Sequence, residues 1–566
     1  MKRVALILCL VLLAKTAQSA APSAQATALQ KVAADFWTWR ARTAPFTGDD
    51  VNRLERPSGI TRDWSADAIA QHKTQLAEFE KKWKGLDPTG WTMADQVDYR
   101  LLGSALARVR WELEVKADWK RDPTFYISQT LTPLVEALNV PGPLNEPRSR
   151  DFLARLQNIP AVLQAAQANL VSPPAPFVAV AVQALKDVRA KLETMAAALP
   201  AHSTLKADEL SPVITRAADA LEGYQAFLLR YPPDKQPQET ALGRDAYLFF
   251  LKQVALMPYT PEQILAMGRQ EWNRAVSFET YERQRNSAVP PLPFVKDMAT
   301  WEKLTATKEG EVREFLDKHG ILTVPAWIQH YTLKPLPDYL QPLQGFGETD
   351  DFTSPSRLQE DCVRYMNPPS PKLGYFWRAT AMDPRPLMVH EGIPGHYFQL
   401  CLSWKQEDPI RRHYYDSGAN EGIGFYAEEM MLQAGLFDDS PRTREIIYNF
   451  MRLRALRVEV DVQLALGQFT LDQAAQYLEQ RVPMDHETAR SEAIAFATGP
   501  GQALTYQIGK LQILRLLAEA RLKEGDKFNL KTFHDFVWRN GNVPISLQRL
   551  EYLGDAGDVP PLEAKK

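Results

Sequence analysis

Cysteine is scarce in this chain: Cys9, Cys362 and Cys401 are the three in 566 residues, too few for a framework of disulfides. Cys9 sits inside an apolar N-terminal run, while Cys362 and Cys401 either form a single bridge or stay as two buried thiols. No histidine or other base lies near either in a recognisable pattern, so nothing suggests a thiol nucleophile. An excess of positive charge is missing too, with 66 Lys and Arg against 69 Asp and Glu, so nothing advertises a nucleic-acid partner. Beyond residue 20 no apolar run is long enough to span a membrane. Histidine is also sparse, at nine residues, which makes any close pair informative.

What is present begins with MKRVALILCLVLLAKTAQSA, residues 1–20. Lys2 and Arg3, an apolar core from Val4 to Ala14 and small residues around position 20 have the form of a secretory signal peptide. Its removal takes Lys2, Arg3 and Lys15, leaving 63 basic against 69 acidic side chains. The mature chain is expected to be periplasmic or secreted, with no stable membrane anchor. At 45% hydrophobic residues it can bury a large core in one or two lobes.

From residue 21 to 290 the apolar positions recur at helical spacing, as in LLGSALARVRWELE (101–114) and FLARLQNIPAVLQAAQANL (152–170), and proline clusters separate the helices. Thr260-Pro261-Glu262-Gln263 and Thr470-Leu471-Asp472-Gln473 match capping boxes, the first with proline at the first helical position. KLGYFWRAT (372–380) is aromatic and bounded by proline-rich segments, which predicts a short strand or extended edge. Residues 291–566 carry the candidate metal site. No long polar linker separates the two regions, so the expectation is one mainly α molecule with a small β edge beside the site.

HEGIPGH, residues 390–396, holds the ingredients of a zinc-hydrolase helix at the wrong spacing. Two imidazoles four residues apart lie within about 40° on a helix, whereas His390 and His396, six apart, lie about 120° apart. Pro394 lacks a backbone N–H and Gly395 accepts unusual dihedrals, so the pair can bulge two residues out of the turn and bring His396 back beside His390. Glu391 is then positioned as in hydrolases whose glutamate takes a proton from water. A catalytic zinc usually has three protein ligands. NEGIGFYAEEMMLQAGLF (420–437) reads as an amphipathic helix with Glu421, Phe425 and Glu428 on one face. Glu421 is the candidate third ligand, and Glu428 the carboxylate that holds a ligand imidazole.

HEGIPGHYFQL, NEGIGFYAEE and GPGQALTYQIGKLQIL (499–514) together resemble the bacterial family catalogued as domain of unknown function 885. The likeness extends through DQVDYRLL, RLQNIPAVLQAAQANL, GRDAY and YTPEQILAMG, so it covers nearly the whole mature chain. That family looks like a distant relative of the helical zinc peptidases that include thimet oligopeptidase and angiotensin-converting enzyme. The resemblance implies a large two-lobed helical protein with a central cleft, Zn2+ on His390, His396 and Glu421, Glu391 as general base, and Tyr506 as hydrogen-bond donor to the oxyanion. As an alternative, Tyr506 is a core tyrosine. Two departures concern the substrate pocket: no histidine stands near Ala465, and EAIAFATGPGQ lacks an Arg-Tyr pair before its glycine-proline turn.

The expected activity is zinc-dependent hydrolysis of peptide bonds, in which zinc activates water, Glu391 moves its proton to the leaving amine and Tyr506 stabilises the oxyanion. The KLGYFWRAT edge is a candidate to hold an extended peptide. Gln502, Lys510, Arg378 and Arg385 are candidates to contact substrate, the cations through a carboxylate. Two rival functions stand beside this one: a non-catalytic periplasmic protein that binds peptides or other ligands, and a zinc hydrolase of non-peptide amides. The oligomeric state is open.

Overall fold

A computed structural model describes residues 24–47 and 54–560; the leader expected at residues 1–20 lies outside the described residues. The protein is mainly α-helical with one small sheet. Both capping boxes form: the Thr260 and Thr470 hydroxyls accept from the N–H groups of Gln263 and Gln473, whose side chains bond back to the cap N–H. They start the Pro261–Arg285 and Leu471–Arg481 helices where the sequence places them. Among the described residues no helix is long and apolar enough to cross a membrane.

The sheet consists of β1 (Tyr331–Pro335), β2 (Asp350–Asp351) and β3 (Cys362–Met366). Central β3 runs parallel to β1 and antiparallel to β2, so that Arg364 faces Leu333 on one side and Asp350 on the other. β3 is buried throughout, and its CVRYM sequence suits a covered strand.

KLGYFWRAT is not a strand. Gly374 caps a helix, Tyr375–Met382, whose first N–H is taken by Asp485 Oδ2 at 3.0 Å. Aromatic residues favour strands, but here tertiary packing overrides propensity: Tyr375 and Phe376 pack on Phe450 with centroids 5.7 and 5.8 Å apart, and Trp377 lies under the Arg364 guanidinium at 5.0 Å. The backbone of this stretch is spent within its own helix and holds no extended peptide. The β structure beside the site is the β2–β3 pair instead, whose Asp350 and Arg364 lie next to Glu391.

Core clusters run across residue 290. Leu340, Leu343, Val363 and Tyr365 pack with the Pro123–Asn139 and Ala207–Leu228 helices, while Ile410, Tyr414, Leu547 and Leu550 pack with Leu29, Phe36 and Leu101. The Ser417–Ala434 helix, expected to be amphipathic, is buried nearly all round. It crosses the Thr505–Glu524 helix at Gly422 and Gly509, where a Cβ on Gly509 would lie 2.1 Å from the Gly418 carbonyl oxygen. That contact sets how deeply Glu421 sits.

Candidate metal centre

His390 and His396 meet through a broken helix. The chain makes a wide helical turn over Met388–Gly392, extends at Ile393 (φ −121°, ψ 125°), and starts a new helix at His396. The two imidazoles therefore belong to successive helices, not to one bulged helix. Gly395 is required at the joint: a Cβ there would lie 1.7 Å from the His390 carbonyl oxygen. The Trp538 indole N–H donates to the Pro394 carbonyl at 2.5 Å and pins the joint from outside. The rings end 4.7 Å apart between centroids, at 80° to each other.

Glu421 supplies the third group from the Ser417–Ala434 helix. Its Oε2 lies 3.4 Å from His390 Nε2 and 3.2 Å from His396 Nε2, and one ligand atom from each residue falls within 4.8 Å of the others. Tetrahedral ligands at zinc-like bond lengths stand about 3.4 Å apart, so these two spacings suit a shared ion, and two imidazoles with one carboxylate match the donor set of a catalytic zinc. Gly424 makes room for both rings, since a Cβ there would meet His396 Cε1 at 2.8 Å and His390 Cε1 at 3.0 Å. Burial opposes charge on His390 and Glu421, yet mutual attraction prevails. The neighbouring His396 and His390 hold the Glu421 carboxyl well below the usual carboxylate range. Glu421 and Glu428 outweigh burial and push His390 up to about 9. The cluster attracts positive charge, as a cation site must.

Two ion-pair networks buttress this triad. On one side Glu428 Oε1 lies 2.7 Å from His390 Nδ1 and 2.9 Å from Arg454 Nη2, and the Arg454 guanidinium is packed over Phe425, Phe450 and Tyr506. Holding Nδ1 turns Nε2 toward Glu421. On the other side Arg364 Nη1 lies 2.6 Å from Asp350 Oδ2 and 3.5 Å from Glu391 Oε1. Burial raises the Asp350 carboxyl to about 8 despite Arg364. Burial acts on Glu391 in the same direction, but Arg364 and the two histidines keep it below its ordinary value.

Tyr506 stacks near-parallel on His390 with centroids 6.0 Å apart. The Arg457 guanidinium covers its ring at 4.7 Å and is itself paired with both oxygens of Glu492. Burial, with Glu421 nearby, pushes the phenol pKa up, so the hydroxyl keeps its proton and remains a donor. His390, Glu391, Glu421 and Tyr506 all line a cleft of about 620 Å³. Its opposite wall, with Trp39, Phe46, Trp64, Trp111 and Phe125, comes from the N-terminal region.

Of the other candidates, Gln502 lines the cleft and accepts a 2.7 Å hydrogen bond from the Ser417 hydroxyl. The three proposed carboxylate-binding cations lie elsewhere. Lys510 is buried against Glu429 at 2.6 Å, and Arg385 is buried between Asp383 and Asp439; each neutralises acids inside the fold. Arg378 is exposed on a separate cavity that also holds Arg283 and Arg442. Cys362 and Cys401 are both free and buried. The residues that sequence reasoning passed over are Arg364, Asp350, Arg454 and Arg457. The last two stand three apart in a helix where most neighbours are apolar and buried, and charge at such positions was a legible sign of a functional pocket.

No curated protein matches this chain. Among solved structures, "a putative lipoprotein of unknown function" from Shewanella oneidensis aligns with a TM-score of 0.71 at 18% identity, covering 94% of this chain and all of that one. A "putative lipoprotein" from Colwellia psychrerythraea aligns at 0.73 and 18%, covering 94% and 98%. Both share the fold. A family model matches residues 47–550, and the chain accordingly belongs to the bacterial proteins of unknown function grouped as DUF885.

Proposed function

We propose that this protein is an exported zinc-dependent peptidase, akin in chemistry to the helical zinc peptidases such as thimet oligopeptidase and angiotensin-converting enzyme. The observation that carries the reading is the convergence of His390, His396 and Glu421 beside an unligated carboxylate, Glu391, at the floor of a cleft. The leader-like N-terminus supports export, as do the two structural neighbours described as lipoproteins.

Zinc, when bound by the triad, supplies a Lewis acid that polarises the scissile carbonyl and acidifies water. The protein's own groups do the rest. Glu391, kept ionised by Arg364, accepts a proton from the attacking water and returns it to the leaving amine. Tyr506 donates its hydroxyl to the charge that develops on the carbonyl oxygen. Glu428 holds His390 in the orientation that presents Nε2 to the ion. The aromatic wall opposite excludes water and packs substrate side chains.

The test is metal analysis of the purified protein followed by a peptide-library digest read by mass spectrometry, with and without chelator. Glu391→Gln should retain zinc and lose at least 100-fold in hydrolysis. A protein that holds no zinc, or one whose Glu391→Gln variant digests the library as wild type does, removes this reading.

A further inference from the structure

Glu348 stands apart from the ionised groups around it. It lines the same cleft as Glu391 and Glu421 and is exposed to it, yet it makes no hydrogen bond or ion pair with any described residue. The cations nearby are already committed: Arg364 to Asp350 and Glu391, Arg454 to Glu428, Arg457 to Glu492. Glu348 is also held in place. The Thr132 hydroxyl donates to the Phe346 carbonyl at 2.6 Å, and Gly347 packs so tightly on Val135 that a Cβ would lie 2.9 Å from Cγ1. The next carbonyl, that of Thr349, accepts the N–H of Tyr365 at 2.9 Å. The charges of Arg364 and Glu391 both act on Glu348, which sets it beside the group formed by Asp350, Arg364 and Glu391.

A carboxylate set near two others, with Arg364 already shared between Asp350 and Glu391, favours the arrival of a further cation. Burial, then the attraction of Arg364 opposed by repulsion from Glu391 and Glu421, leaves its carboxyl above the ordinary value, and a further cation beside it favours the ionised form.

We infer that Glu348 binds a protonated amine or guanidinium of the substrate. This rests on the peptidase reading and narrows it to peptides that place a cation in the cleft near the scissile bond. Two sources carry that chemistry, a free N-terminus and a Lys or Arg side chain, and the assay separates them.

A set of short peptides is compared in four forms: free or acetylated N-terminus, each with Lys or norleucine beside the cleaved bond. The wild type should favour one cationic form at least tenfold in kcat/KM, through KM. Glu348→Gln should erase that preference while leaving the neutral forms within twofold, a pattern that a merely structural role does not produce. Binding of the same peptides to Glu391→Gln and Glu348→Gln/Glu391→Gln is measured by calorimetry. Hydrolysis without any cation preference, or equal losses for all four forms in Glu348→Gln, overturns the inference and leaves the peptidase reading standing. Cation-selective binding that depends on Glu348, with no turnover by wild type, upholds the inference and overturns the peptidase. Neither binding nor cleavage of any form overturns both.

Discussion

The His390 imidazole is oriented by a carboxylate that is itself oriented. Glu428 reaches His390 while its charge is balanced by Arg454, and Arg454 is boxed by three aromatic rings. Glu428→Gln should lower zinc affinity roughly 10- to 100-fold and also lower stability, because Arg454 is left as an uncompensated buried charge. Combining it with Arg454→Met should recover the stability but not the zinc affinity. Competition with a chromophoric chelator and a denaturant titration separate these outcomes. If Glu428→Gln binds zinc as wild type does, Glu428 has no part in holding the ligand. The three candidate ligands and Glu391 were readable at this scale because an uncommon residue type was paired at short range. Arg364 and Asp350 were not, since their meeting with Glu391 depends on strand register, which no local pattern encodes.

Elements were readable where local chemistry was self-sufficient. Thr260 and Thr470 with their reciprocal glutamines mark helix starts without help from the rest of the fold. The Tyr375–Met382 helix was missed because aromatic content argues for a strand, and the contacts that decide otherwise come from Phe450 and Asp485, far along the chain. The Leu530–Arg539 helix carries another such contact. His534 is buried there with Nδ1 2.8 Å from the Ile321 carbonyl and Nε2 2.8 Å from the Tyr426 hydroxyl, and burial lowers its pKa to about 4. The folded state resists protonation that the unfolded chain accepts near pH 6.5. The stabilisation is therefore complete above about pH 6.5 and is lost as pH falls toward 4, by on the order of 3 kcal/mol in all. Denaturant midpoints for wild type and His534→Gln, measured between pH 4 and 7, should diverge in slope by about one proton. Parallel curves reject this assignment.

At the scale of the whole molecule, composition together with the helical spacing of apolar residues placed the chain among large helical proteins without a disulfide framework, but it left Cys362 and Cys401 open; both are buried thiols. It also did not foretell that residues 39–128 wall the cleft whose floor comes from residues beyond 348. On the proposed reading, an ion held between the His390 turn, the His396 helix and the Ser417–Ala434 helix would bind the folded chain in preference to the unfolded one. At a thousandfold excess over Kd, zinc should add roughly 4 kcal/mol, visible as a fall in Tm of a few degrees on chelation. In Glu421→Gln that response should largely vanish, whereas an undiminished response places the stabilising ion elsewhere.

The indole of Trp538 grips the joint between the two histidines from 144 residues downstream. During translation, then, His390 and His396 emerge long before the group that locks their approach. A ribosome-bound chain has no finished trap for a cation until its final helices arrive. If the proposed site takes a metal, whichever compartment sees folding end would be the one whose metal pool fills it.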